Sequence, residues 1–168
     1  LDSIEDRIDV ISRTIVGRVA FSTSLGLEDQ AVLHAIATAN VPIDVFTLDT
    51  GRHFPETLET LAASEQRYGL RIRVLAPSAG DVERLVGRDG VMGFRSSIEA
   101  RKACCHVRKI LPLQKGLAGA SGWMTGLRRG QSMERADVAF ARWDREYGLI
   151  KLNPIADYED KNDLLAFS

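Results

Sequence analysis

Isoleucines at positions 4, 8, 11 and 15 recur at helical spacing between mostly polar neighbours, so residues 4 to 16 are expected to form an amphipathic helix. Val19-Ala20-Phe21-Ser22-Thr23 then reads as a short strand. Ser24-Leu25-Gly26-Leu27 reads as a loop opening a helix over residues 28 to 39, apolar on most sides and therefore well buried. Past Pro42, Ile43 to Leu48 has the pattern of a central strand ending in Asp49-Thr50-Gly51. Pro55 suits the first position of a helix with Leu58, Leu61, Ala62 and Tyr68 along one face, and Gly69 stops it. Arg71 to Leu75 is a third strand, followed by a helix over residues 81 to 88 and a loop through Gly93. Residues 96 to 118 look helical in two pieces around a cysteine pair. Gly122-Trp123-Met124-Thr125 and Leu149-Ile150-Lys151-Leu152 are the fourth and fifth strands.

Strands alternating with helices predict a single α/β domain over residues 1–168, a doubly wound parallel sheet covered on both faces. Ligands of such sheets bind outside the carboxyl ends of the strands. No internal repeat, linker or low-complexity tract interrupts the pattern.

With 45% hydrophobic and 27% charged residues in a length of 168, the chain can bury a globular core, which excludes disordered, collagen-like and coiled-coil classes. No apolar run reaches the ~18 residues of a membrane span, and the first residues are acidic where a secretory signal is basic, so a cytoplasmic protein is expected. The net charge of −1 gives no global bias toward nucleic acid or an anionic membrane. Charge is nevertheless unevenly spread: from Arg95 to Arg129 eight Lys and Arg face a single acid, Glu99. That segment suits a small anion.

Three strand ends carry polar chemistry. Ser22, Ser24 and Gly26 sit in a strand-to-helix turn able to offer hydroxyl and backbone donors to a phosphate, although the turn is neither a Walker loop nor a dinucleotide fingerprint. An ordinary turn with Glu28 and Asp29 complementing the helix dipole is the alternative. Asp49, Thr50, Gly51, Arg52 and His53 form the second set: Asp49 can accept from a ribose hydroxyl and Arg52 can meet an anion, against helix capping plus a surface histidine. The third is Arg128 and Arg129 between Gly126 and Gly130, a basic loop that can close over an anion or simply remain solvated.

The two cysteines of the chain, Cys104 and Cys105, are adjacent, which excludes a disulfide scaffold. Cations around them lower thiol pKa values and favour metal ligation or redox work. Two thiols do not complete a zinc or iron-sulfur site, for which four ligands are usual.

In this order, the serine loop at 22–29, Leu-Asp-Thr-Gly-Arg-His-Phe-Pro-Glu-Thr at 48–57, Cys-Cys-His-Val-Arg-Lys-Ile-Leu-Pro-Leu at 104–113 and Thr-Gly-Leu-Arg-Arg-Gly-Gln-Ser at 125–132 resemble the assimilatory adenylyl-sulfate and phosphoadenylyl-sulfate reductases. The resemblance runs from about residue 18 to 158, and the tandem cysteines are similar to those of the cluster-bearing adenylyl-sulfate branch. It implies an adenine nucleotide α-hydrolase-like fold and a 4Fe-4S cluster held in part by Cys104 and Cys105. Ser22, Ser24 and Gly26 would face the phosphosulfate, while Asp49, Thr50, Gly51 and Arg52 would border the nucleotide. Lys109 would stand between cluster and substrate, with Arg128 and Arg129 over the anion. The implied reaction reduces adenylyl sulfate to sulfite and AMP. A thiolate on a C-terminal tail attacks sulfur, and thioredoxin or glutaredoxin releases sulfite. Neither nucleic acid nor membrane is an implied partner, and homo-oligomerisation is left open. Family members continue past the equivalent of residue 158 into a Cys-x-x-Cys and a cysteine-bearing tail, so truncation and an inactive fragment are expected here. The competing readings are a phosphoadenylyl-sulfate reductase, an adenylylating enzyme of the ATP pyrophosphatase type, and a nucleotide-binding remnant.

Overall fold

A computed structural model of the chain describes residues 3–167. The six strands are β1 (Val19–Thr23), β2 (Asp44–Leu48), β3 (Arg73–Leu75), β4 (Gly122–Met124), β5 (Ala141–Asp144) and β6 (Leu149–Leu152), in sheet order β3-β2-β1-β4-β6-β5. All neighbours are parallel except β5, which pairs antiparallel with β6. β1 is flanked by β2 on one side and β4 on the other, so the connections run outward in opposite directions from it.

On one face, α1 (Ile4–Thr14) and α2 (Leu27–Ala39) bury Ile4, Ile8, Ile11, Val32, Leu33 and Ile36 against Phe21, Val45 and Met124. Ser3 caps α1 by accepting from the Asp6 amide at 3.1 Å. α2 shows no amphipathic stripe because most of its sides are buried. Leu61 and Tyr68 of α3 (Pro55–Tyr68) join the same core; Pro55 starts that helix and Gly69, at φ 61°, ends it. A 3-10 segment, Lys161–Phe167, returns to α2 through the fully buried Leu164.

The opposite face is covered by α6 (Leu111–Leu117) over β2 and β3. A Cβ at Gly116 would lie 2.7 Å from Phe46 and 2.8 Å from Leu75, so glycine sets how closely α6 approaches. Ala20, Phe46, Leu75, Leu117 and Leu149 form the core there. α4 (Ala79–Asp89) and α5 (Ile98–Cys105) lie outside it.

Two elements differ from expectation. β5 is an edge strand with three exposed residues and no periodic apolar signature, so the sequence pattern passes over it. The segment over residues 96–118 contains no break at the cysteines: α5 ends on Cys105 and passes through a π-helical turn, His106–Ile110, into α6. Pro112 falls where the π-helical turn hands over to α6, at the shift in the helical hydrogen-bond spacing.

Candidate active site

The carboxyl ends of β1, β2 and β4 open into a cavity of about 490 Å³. It lies where the strand order diverges from β1, the switch point at which open α/β sheets bind ligands.

Ser22, Thr23 and Ser24 form its β1 wall. Leu25 takes the left-handed conformation at φ 64°, rare for a residue with a side chain, and its amide donates to Thr23 Oγ1 at 3.0 Å. Asp29, in the first turn of α2, accepts from the Ser24 amide at 2.5 Å and the Ser24 hydroxyl at 2.6 Å. Burial pushes the Asp29 carboxyl above its ordinary range, with the Ser24 bonds opposing. Asp29 therefore braces the loop from behind. Gly26 is the N-cap of α2 and supplies no side-chain cap, and the first-turn Glu28 carboxylate accepts from its own backbone amide at that end of the dipole instead. Gly26 itself borders a shallower depression with Leu25 and Glu56 rather than the main cavity.

On the β2 side, Thr50 is buried in the cavity wall. Asp49 does not reach outward: its Oδ1 accepts from the Gly51 amide at 2.8 Å, in a turn that needs φ 70° at Gly51. Arg52 points away, donating to the Val91 carbonyl with its guanidinium 4.9 Å from the Phe94 ring. His53 does enter the wall, and its Nε2 donates to the Leu48 carbonyl at 2.7 Å.

Opposite them, the π-helical turn carries Arg108 and Lys109. Lys109 lines the cavity. Arg108, 8% exposed, donates to the Thr50 carbonyl at 2.7 Å and so ties the turn after β2 to the helix that follows the cysteines. Its Nε is the buried side-chain nitrogen without a partner among the described residues. Such π-turns recur at functional sites because the extra residue re-aims neighbouring side chains.

The loop after β4 closes the last wall with Thr125, Gly126, Leu127 and Gln131. Arg128 and Arg129, expected to close over an anion, stand outside that wall. Arg128 is held by Glu28 and by the Glu159 carbonyl, and Arg129 donates to the Val138 carbonyl at 2.9 Å. With all three Arg128 nitrogens engaged, the loop is fastened rather than open to solvent. Asp29, Trp123, Thr125 and Lys151 also line the cavity, although none of them is a site candidate from the sequence. Of these, Lys151 had a signal available: a single cation inside an apolar strand.

Cys104 is half-buried beside Arg108 in a small crevice, and Cys105 is exposed; both are free thiols. Among the described residues no three His, Cys, Asp or Glu converge on one point. Two adjacent thiols supply at most two of the four ligands that an iron-sulfur or zinc site usually takes, and the described residues supply no third beside them.

A doubly wound, mostly parallel sheet with a braced serine-glycine loop at its switch point defines an α/β protein whose ligand cavity lies at the carboxyl ends of its strands. The chain belongs to the family described as the phosphoadenosine phosphosulfate reductase domain, whose model matches residues 18–163. It is 51% identical over 143 residues to an adenosine 5'-phosphosulfate reductase of Agrobacterium fabrum, covering 85% of this chain and 55% of the relative. An adenosine 5'-phosphosulfate reductase of Allochromatium vinosum is 46% identical over 142 residues, covering 84% and 56%. The chain thus spans a little over half the length of these curated relatives. A crystal structure of a phosphoadenylyl-sulfate reductase from Candida auris, in a phosphate complex, shares the fold at a TM-score of 0.82 and 21% identity, covering 98% of this chain and 77% of that one. An NH3-dependent NAD synthetase from Campylobacter jejuni shares it at 0.61 and 15%, covering 98% and 68%.

Proposed function

We propose that this chain is the nucleotide-binding part of an adenylyl-sulfate reductase, which converts adenylyl sulfate to sulfite and AMP with electrons from thioredoxin or glutaredoxin. The observation that carries this reading is the joining of the switch-point cavity to the tandem cysteines by a single π-helical turn bearing Lys109. A simple nucleotide-binding or ATP-cleaving site has no need of such a pair. The relatives named as adenosine 5'-phosphosulfate reductases support the choice of nucleotide.

In the proposed reaction a protein thiolate, which the family carries on a C-terminal tail, attacks the sulfur of adenylyl sulfate. The sulfur–oxygen bond to the phosphate breaks, AMP leaves with that electron pair, and the sulfonate stays on the thiol as a thiosulfonate. A dithiol then supplies two electrons, releasing sulfite and becoming a disulfide. Ser22 accepts from the Trp123 indole and offers its own O–H to the phosphosulfate, while Ser24 is held beside it by Asp29. Lys109 offers a cation where negative charge moves from thiolate to leaving group. Thr50, with Thr47, Leu48 and His53, shapes the β2 wall, against which the adenosine would lie. Cys104 and Cys105 would supply two thiolate ligands of a 4Fe-4S cluster, which contributes an anionic iron-sulfur centre beside the basic segment.

The test is product analysis on the full-length gene product, purified without oxygen and supplied with thioredoxin. Sulfite and AMP in equal amounts from adenylyl sulfate, with phosphoadenylyl sulfate a poorer substrate, is the expected result. Preference for the 3′-phosphorylated nucleotide overturns the substrate assignment. Magnesium-dependent release of pyrophosphate from ATP without sulfite production overturns the reductase.

A further inference from the structure

β6 reads Leu149-Ile150-Lys151-Leu152, an apolar strand with one lysine in it. Alternation sends Ile150 and Leu152 to the core on the α1–α2 face and Leu149 to the core on the other. Lys151, two residues beyond Leu149, shares that second face and lines the cavity. Its Nζ lies 4.4 Å from the ring centroid of Trp123, its register partner on β4. The Trp123 indole in turn donates from Nε1 to Ser22 Oγ at 2.8 Å, so Ser22, Trp123 and Lys151 form a row across β1, β4 and β6. This cation is carried by the sheet, not by a loop.

A half-buried ammonium that forms no ion pair is a local conflict of the kind that collects at functional sites. No ion pair among the described residues includes Lys151. Both carboxylates of the cavity wall are committed elsewhere, Glu28 to Arg128 and Asp29 to Ser24. Burial holds the Lys151 ammonium below the ordinary lysine range, Asp144 opposing and Arg142 and Arg135 assisting. Arg135, the other cation of that side, is engaged by Gln131. A ligand oxyanion in the cavity would provide the missing partner.

We propose that Lys151, seated on Trp123, is a substrate-binding residue for the phosphosulfate arm of the nucleotide, which it separates from uncharged nucleosides. This assignment rests on the nucleotide reading above. The test is calorimetric titration of the purified protein and its Lys151→Met and Lys151→Arg variants with adenosine, AMP and adenylyl sulfate. Lys151→Met is expected to weaken adenylyl sulfate about tenfold or more, as for loss of a charge-assisted hydrogen bond, and to leave adenosine within about twofold. Lys151→Arg is expected to restore most of the lost affinity. Equal losses for adenosine and adenylyl sulfate would show that Lys151 merely supports the Trp123 ring, and unchanged adenylyl-sulfate affinity in Lys151→Met would show that it is not in contact; either overturns the assignment while leaving the nucleotide reading intact. A wild-type protein that binds no adenine nucleotide overturns both.

Discussion

Glu28 and Arg128, 100 residues apart in sequence, are joined by two hydrogen bonds: Arg128 Nε and Nη2 donate to the same Glu28 oxygen at 3.1 and 3.0 Å. Arg128 is 5% exposed, and its third nitrogen donates to the Glu159 carbonyl at 2.9 Å. Burial works to raise the Glu28 carboxyl, but its own backbone amide, Gln131 and Arg128 together hold it below the usual range. The start of α2 and the loop after β4 are thereby fixed to each other on two sides of the cavity.

Replacing Glu28 by Gln strands a buried guanidinium. The expected loss is about 2 kcal/mol of folding stability, less than for a fully buried pair because Glu28 keeps some solvent contact. Urea denaturation measures it. The gap between wild type and Glu28→Gln is expected to survive 0.5 M added salt, since screening acts mainly on exposed charges. A gap that vanishes in salt would show that the pair is solvated.

Gly126 carries the contact between the β4 loop and Asp29, where a Cβ would lie 2.1 Å from Asp29 Oδ1 and 3.2 Å from the Asp29 amide nitrogen. Gly126→Ala is expected to push the loop off the Asp29 brace, costing about 1–3 kcal/mol and weakening AMP binding. Thermal unfolding and AMP titration report the two effects; wild-type values in both would mean that the loop has room to shift.

Asp44 sits between two arginines, accepting from Arg73 at 2.8 and 2.6 Å and from Arg18 at 2.5 Å. The Arg73 bonds hold its carboxyl below the ordinary range, burial opposing and Arg18 adding to the effect. A carboxyl lowered by folding adds stability that is complete above its unfolded pKa of about 3.9 and is lost as pH falls through the folded value. Asp44→Asn is therefore expected to cost about 1 kcal/mol equally at pH 7 and pH 5, with the difference closing toward pH 2. Urea midpoints across that range decide it; a difference that persists undiminished to pH 2 contradicts the ionic origin.

Cys104→Ser and Cys105→Ser are each expected to lower bound iron and visible absorbance in anaerobically purified full-length protein, as loss of one of four thiolates should. Full iron content in both variants, or a colourless and iron-free wild type with full activity, would remove the cluster from the proposed mechanism.

Most of the architecture was legible in the sequence. Ile4, Ile8 and Ile11 announce α1 through their spacing, and the all-round apolar character of residues 28–39 announces a buried α2. Turn chemistry at Gly69 and Pro55 bounds α3. β5 was not legible, because an edge strand with exposed residues needs no hydrophobic alternation. At the site, Ser22, Ser24 and Thr50 could be picked by residue type and position and Lys109 through the family resemblance, and the structure brings them to one cavity. Arg52, Arg128 and Arg129 have equally suggestive types, yet their charges are spent on Val91, Phe94, Glu28, Glu159 and Val138. Local sequence cannot reveal such partners, which lie as far as 100 residues away.

The sequence by itself determined the α/β class, the strand ends that carry polar residues, and the family resemblance, because each of these depends on spacing along the chain. Only the tertiary structure decided which polar groups remain available to a ligand. That choice depends on long-range pairing: Arg128 is neutralised by Glu28, whereas Lys151, in an ordinary-looking strand, reaches the cavity wall and forms no ion pair among the described residues.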